Sequence, residues 1–183
     1  MFKLHYIPNA ICVVRILMVA PIVWCLLDGQ YRLALLLIVL AGFSDALDGF
    51  LARRYGWRTR LGGVLDPAAD KLLMFSVFLT LTWVGLVPLW FAFVVIGRDL
   101  VIVGGSLAYQ LFVGPFHGSP TRISKLNSVL QILFVVLVLT HASFAQPPIV
   151  AIRVVGALVL LTVALSITQY IATGVGHARA RQT

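Results

Sequence analysis

The chain predicts an all-α membrane protein of six transmembrane helices, and three observations carry that expectation. Of its 183 residues, 61% are hydrophobic and 11% charged, with a mean hydropathy of +1.02. A soluble domain of this size cannot hide so much apolar surface. The apolar residues also fall into runs of roughly 20, the length a helix needs to cross a bilayer. Finally, the basic residues gather at alternate connections between those runs, as they do where a membrane sorts charge. So many spans leave room for little else, so residues 1–183 are expected to form one domain.

Each element has a local cause. Residues 1–7, Met-Phe-Lys-Leu-His-Tyr-Ile, are mixed and amphipathic and fit a short interfacial helix or an irregular segment. Pro8-Asn9 opens the first span, to about Leu27, proline being well suited to a helix start. Asp28-Gly29-Gln30 turns the chain into a second span, about Tyr31 to Arg53. Residues 54–65 are expected to be a basic loop with Arg54, Arg58, Arg60 and three glycines. The third span runs from about Asp66 to Gly85, and Val84 to Pro88 is a tight uncharged turn. The fourth, about Leu89 to Val113, contains Arg98-Asp99, and a Gly/Pro-rich loop follows over 114–122. The fifth runs from about Ile123 to Ala145, Gln146-Pro147-Pro148 turns, and the sixth runs from about Ile149 to Thr173. A tail with His177, Arg179 and Arg181 closes the chain.

With six spans, Lys3, the arginines of 53–60, Arg122 with Lys125, and Arg179 with Arg181 all fall on one side. The opposite turns offer only Arg32 near a span end and Arg153 just inside the sixth span. Both termini are therefore expected in the cytoplasm.

The net charge of +8 fits membrane topology and attraction to anionic lipid. No basic stripe with interleaved aromatics lies outside the spans, so nucleic-acid binding is not expected. Cys12 and Cys25 both lie in the first apolar segment and form no metal or disulfide pattern. No small-residue cleavage site follows a short apolar core, so no removable leader is expected.

Against this background the stretch Ser44–Lys71 stands out. The chain has six acidic residues, all aspartates, and four of them are here: Asp45, Asp48, Asp66 and Asp70. They form two pairs, at i,i+3 and i,i+4, and each pair lies on one face of a helix. A lone aspartate near a helix end is usually a cap or solvated. That reading does not explain four, interleaved with glycines and arginines, in so acid-poor a chain. Carboxylates beside a membrane span are costly unless a cation or a function offsets the cost. Two pairs brought together make an oxygen-rich site for hard divalent cations, and no Cys/His cluster suggests zinc. Topology independently places the end of span two and the start of span three on the cytoplasmic side. Gly49 lets a ligand approach the backbone, Ala52 keeps the same face low, and Arg53 offers a fork for phosphate. Taken singly, Gly49 and Ala52 could be packing residues and Arg53 a positive-inside anchor.

Asp45-x-x-Asp48-Gly49-x-x-Ala52-Arg53, eight residues, then Gly62-x-x-x-Asp66-x-x-x-Asp70 resembles the signature of the CDP-alcohol phosphatidyltransferases at every defining position. The resemblance implies two Mg²⁺ or Mn²⁺ ions held by Asp45, Asp48, Asp66 and Asp70, with Asp70 also the general base. It implies nucleotide binding by Asn9, Asp48, Gly49, Ala52, Arg53 and Gly62. It further implies a CDP-diacylglycerol substrate, a homodimer, and an inner-membrane protein of a bacterium with its active site facing the cytoplasm.

The acceptor is harder to read. Arg15, Arg98, Lys125 and Arg153 lie at or inside spans, and buried cations face a cavity, a partner or a ligand. For Arg15 and Arg153 snorkelling to the interface is an equal alternative. Asp99 projects elsewhere on the helix from Arg98 and is not expected to pair with it. Arg98, Arg122 and Lys125 are the candidates for an acceptor phosphate. Ser124-Lys125-x-Asn127 and Gly97-Arg98-Asp99 resemble the cardiolipin-synthase branch of the family, which implies phosphatidylglycerol as acceptor and cardiolipin and CMP as products. The rival acceptor is glycerol 3-phosphate, a dianion that favours more lysines. A small transporter is a rival of another class, but it predicts polar residues spread over several depths rather than clustered at one.

Overall fold

The computed structural model describes residues 7–55, 62–112 and 122–179, with side chains over 12–44, 69–102, 104 and 123–168. Six helices follow in order: α1 Ile7–Leu27, α2 Tyr31–Tyr55, α3 Gly62–Trp83, α4 Leu89–Phe112, α5 Arg122–Phe144 and α6 Ile149–Arg179. No strand occurs among the described residues. By length and composition Ile123–Phe144 and Ile149–Thr168 can cross a membrane, and shorter apolar helical stretches cover Cys12–Leu27 and Tyr31–Ser44. The expected segment 1–7, apart from Ile7, the loop core 56–61, most of the loop 114–122 and the end of the tail lie outside the described residues.

Local chemistry accounts for the turns. Gly29 and Gly85 take positive φ, 74° and 78°, where a side chain would be strained. The amide of Gln30 then reaches Cys25 O at 2.8 Å, and that of Leu86 reaches Leu81 O at 2.9 Å. Both are the backbone closure that ends a helix on a left-handed residue. α5 ends the same way on Ala145, at φ 56°, although it carries a Cβ. Arg32 reinforces that end. Its Nε and Nη2 donate to Ser143 O at 3.4 and 3.3 Å, and its guanidinium lies 4.9 Å from the Phe144 ring centre.

Helix boundaries differ from expectation at three places: α2 runs on to Tyr55, α3 starts early, and α6 extends to Arg179 rather than ending near Thr173. α3 begins at Gly62 rather than near Asp66, so the connection shrinks to 56–61, and Arg54, Gly62 and Gly63 are helical. Pro67 is the sixth residue of α3, close to the helix start, where few ladder bonds precede it. Only the bond to the Gly63 carbonyl is lost. Pro21 lies inside α1, yet the helix continues, packed against α2 and α3.

The chain divides into two compact units, Met1–Val87 with Val138–Gln146, and Pro88–Leu137 with Pro147–Thr183. In the first, α1 packs on both α2 and α3. Its core combines Cys12, Ile22, Cys25 and Leu26 of α1, Ala34, Ile38 and Ala41 of α2, and Leu73, Met74, Val77, Phe78 and Leu81 of α3. In the second, α4 packs on α6 around Phe91, stacked on Phe134 of α5 at 4.7 Å between centroids. Gly156 makes room for that stack: a Cβ there would meet Phe134 Cε2 at 3.1 Å and Phe91 Cε2 at 3.6 Å. Trp24 and Trp83 at the ends of α1 and α3, and Trp90 at the start of α4, are exposed. Exposed tryptophans near helix ends suit a membrane interface.

Candidate functional site

The aspartate pairs occupy register positions in line with the buried residues of α2 and α3. On α2 the buried residues are Ala34, Ile38 and Ala41. At 100° per residue, Asp45 falls about 20° to one side of Ala34, Asp48 about 40° to the other, and Ala52 returns to the same direction. On α3, Asp70 falls about 20° and Asp66 about 60° from buried Leu81. Each pair thus stands in register with the buried residues of its helix, toward the 56–61 connection. Counted from that connection at 1.5 Å per residue, Asp66, Asp48, Asp70 and Asp45 stand about 6, 10, 12 and 15 Å in.

Of the four, the side chain described is that of Asp70, half-buried beside buried Ala69 and half-buried Lys71. The side chains of Asn9, Asp45, Asp48, Gly49, Ala52, Arg53, Gly62, Asp66 and Arg122 lie outside the described residues, although their helices are defined. Among the described residues no three His, Cys, Asp or Glu groups gather.

The span cations sort sharply. Arg15 is 2% exposed, inside the stripe that α1 packs on α2 and α3, so it does not snorkel. Arg153 is exposed. Arg98 is 3% exposed and ties together three helices of its unit. Its Nη2 donates to Ser124 Oγ of α5 at 3.0 Å and to Ser166 Oγ of α6 at 2.5 Å. Its Nη1 donates to Asp99 Oδ1 at 2.7 Å, which corrects the expectation that the neighbours do not pair. Helical divergence separates their Cβ atoms, but the long arginine stem curls back, and a buried cation gains from the nearest carboxylate. Lys125, about 100° round α5 from Ser124, is exposed instead. Of the three candidate phosphate contacts, Arg98 and Lys125 therefore occupy opposite environments.

A polar seam around Arg98 was only partly visible in the sequence. Thr162 of α6 donates to Asn127 Oδ1 at 2.9 Å. Asn127 and Gln131, four residues apart on α5, are 0% and 1% exposed. Asn127 Nδ2, Gln131 Nε2 and Arg98 Nε are buried with no hydrogen-bond partner among the described residues. The sequence signal is the spacing Ser124, Asn127, Gln131 against Thr162, Ser166: polar residues at helical period on otherwise apolar spans. Chemically, the unit presents buried donors suited to an oxygen acceptor.

Comparison with known proteins adds to this geometry. The family model described as CDP-alcohol phosphatidyltransferase matches residues 5–170. A human cardiolipin synthase (CMP-forming) is 27% identical over 180 residues, covering 90% of this chain and 60% of that protein. One from Streptomyces coelicolor is 40% identical over 107 residues, 54% of this chain and 50% of that protein. A chloroplastic CDP-diacylglycerol–glycerol-3-phosphate 3-phosphatidyltransferase 1 of rice is 32% identical over 155 residues, 75% of this chain and 47% of that protein. The chain thus spans about half the length of the curated relatives it matches.

Proposed function

The chain belongs to the CDP-alcohol phosphatidyltransferase family, and from that premise we propose that it transfers the phosphatidyl group of CDP-diacylglycerol to phosphatidylglycerol, giving cardiolipin and CMP. The observation that carries the reading is the register of the aspartates: both pairs stand in line with the buried residues of their helix, near the same connection. The donor set is all carboxylate, which fits a hard divalent cation and not zinc. Asp45, Asp48, Asp66 and Asp70 would hold two Mg²⁺ or Mn²⁺ ions, which when bound neutralise charge on the pyrophosphate.

The protein's own groups do the rest. Gly49, Ala52, Arg53 and Gly62, with Asn9 and Asp48, receive the cytidine and its phosphates. Asp70 takes the proton from the acceptor hydroxyl, within hydrogen-bond reach. The freed oxygen attacks the phosphorus bearing diacylglycerol, the bond to the CMP oxygen breaks, and CMP leaves. Lys125 and Arg122 contact the acceptor phosphate, and Arg98 supports it from within the seam. All six helices span the membrane, with both termini and the aspartates at the cytoplasmic face of a bacterial inner membrane. The whole chain acts as one domain and pairs as a homodimer. The exposed tryptophans at helix ends support the membrane placement, and the similarity to cardiolipin synthases over most of the chain supports the acceptor.

A second acceptor, glycerol 3-phosphate, is favoured by one observation: the rice relative named for it matches three quarters of the chain. One assay separates the two. Purified protein is given CDP-diacylglycerol, magnesium or manganese, and both acceptors together. Cardiolipin with stoichiometric CMP is expected. Phosphatidylglycerophosphate without cardiolipin overturns the acceptor and leaves the transfer intact, and no CMP release from either acceptor overturns the transfer itself.

A further inference from the structure

Arg15 belongs to no role assigned above, yet it is a cation in the core of the first unit, 2% exposed. A buried guanidinium needs an anion, because its desolvation is otherwise too costly. The first unit has five aspartates. One of them, Asp28, is in the far turn, where its carboxylate accepts from Gln30 Nε2 at 2.6 Å. The other four are the motif aspartates.

Depth selects among these. From the tight turn at 28–30, Arg15 stands about 18 Å up α1 and Asp45 about 21 Å up the adjoining, antiparallel α2. From the 56–61 connection, Asp45 and Asp70 lie about 15 and 12 Å in, the innermost of the four. α1 packs against both helices. Its N-terminus lies at the motif end, and helical side chains lean toward their own N-terminus. The lean carries the Arg15 guanidinium up toward Asp45 and Asp70.

We propose that Arg15 is a positioning residue that closes the bilayer side of the carboxylate site, holding the carboxylates of Asp45 and Asp70 in place before metal arrives. This rests on the metal-site reading above. Four carboxylates gathered without a counter-charge repel one another, so the buried arginine keeps the empty site folded. Divalent cations, once bound, take over part of that task.

The test is thermal unfolding of the full chain in detergent with EDTA, for the parent, Arg15→Gln, Asp45→Asn, Asp70→Asn, and Arg15→Gln combined with each asparagine variant. Arg15→Gln is expected to lower the midpoint by several degrees in the parent and by less than half as much once Asp45 or Asp70 is neutral. Millimolar magnesium is expected to raise the midpoint of Arg15→Gln more than that of the parent. An equal loss in all three backgrounds overturns the proposal, since a packing residue would show no such coupling. Should Arg15→Gln fail to fold, Arg15→Lys in the same backgrounds reads the coupling, and its milder loss should shrink in the same way. Magnesium that raises no midpoint removes the metal-site reading, while the metal-free coupling still decides the role of Arg15.

Discussion

Arg98→Ala is expected to act first on stability, because the guanidinium is wired into three helices. The substitution removes donors from Ser124, Ser166 and Asp99 at 3.0, 2.5 and 2.7 Å. It removes the Arg98 guanidinium from Asp99, which is 13% exposed at its side chain. Removing one partner of a buried ion pair costs about 3–5 kcal/mol. The two serine bonds are to a charged donor and belong to the same network, so they are not added separately. For a chain of this size each kcal/mol moves the unfolding midpoint by about 2–4 °C, so a drop of about 6–20 °C is expected. Differential scanning fluorimetry in detergent reads it, with Lys125→Ala as control, since Lys125 is exposed. Arg98→Lys should recover part of the loss, because one ammonium cannot reproduce the fork that reaches both serines. An Arg98→Ala midpoint no lower than that of Lys125→Ala refutes the argument, and any loss of acceptor use would then be a direct contact effect.

The remaining predictions concern other elements. Asp45→Asn, Asp48→Asn and Asp66→Asn should each abolish CMP release while unfolding stays cooperative, and near-normal turnover in any of them removes that residue from the site. Asp70→Asn should still bind CDP-diacylglycerol with metal, measured by equilibrium binding, but should fail in transfer. Ala145→Gly should stabilise the chain by about 1 kcal/mol, because a left-handed residue at a helix end is strained by a Cβ; a lowered midpoint contradicts the αL cap. Gly156→Val should destabilise by about 1–3 kcal/mol through overpacking, since a Cβ there already meets Phe134 at 3.1 Å.

What the sequence determined by itself lies within short windows. Apolar runs gave the helices, and their breaks at Asp28-Gly29-Gln30 and Val84–Pro88 gave the turns. The spacing of Asp45, Asp48, Asp66 and Asp70 placed each pair on one helix face, because helical period depends on nothing beyond the helix. Tertiary structure decided which way each helix turns. Arg15 and Arg153 look alike in the sequence, yet one is buried and the other exposed. The bond from Arg98 to Ser166 joins residues 68 apart, and Gly156 matters only because Phe91 and Phe134 stack against it. The physical reason lies in the composition of the helices. Val13, Leu17, Leu36 and Leu161 are exposed and apolar, while Ile22, Ile38 and Val159 are buried and apolar. Where outward-facing and core-facing residues are equally hydrophobic, no amphipathic stripe records the rotation of a helix, and only packing against its neighbours fixes it.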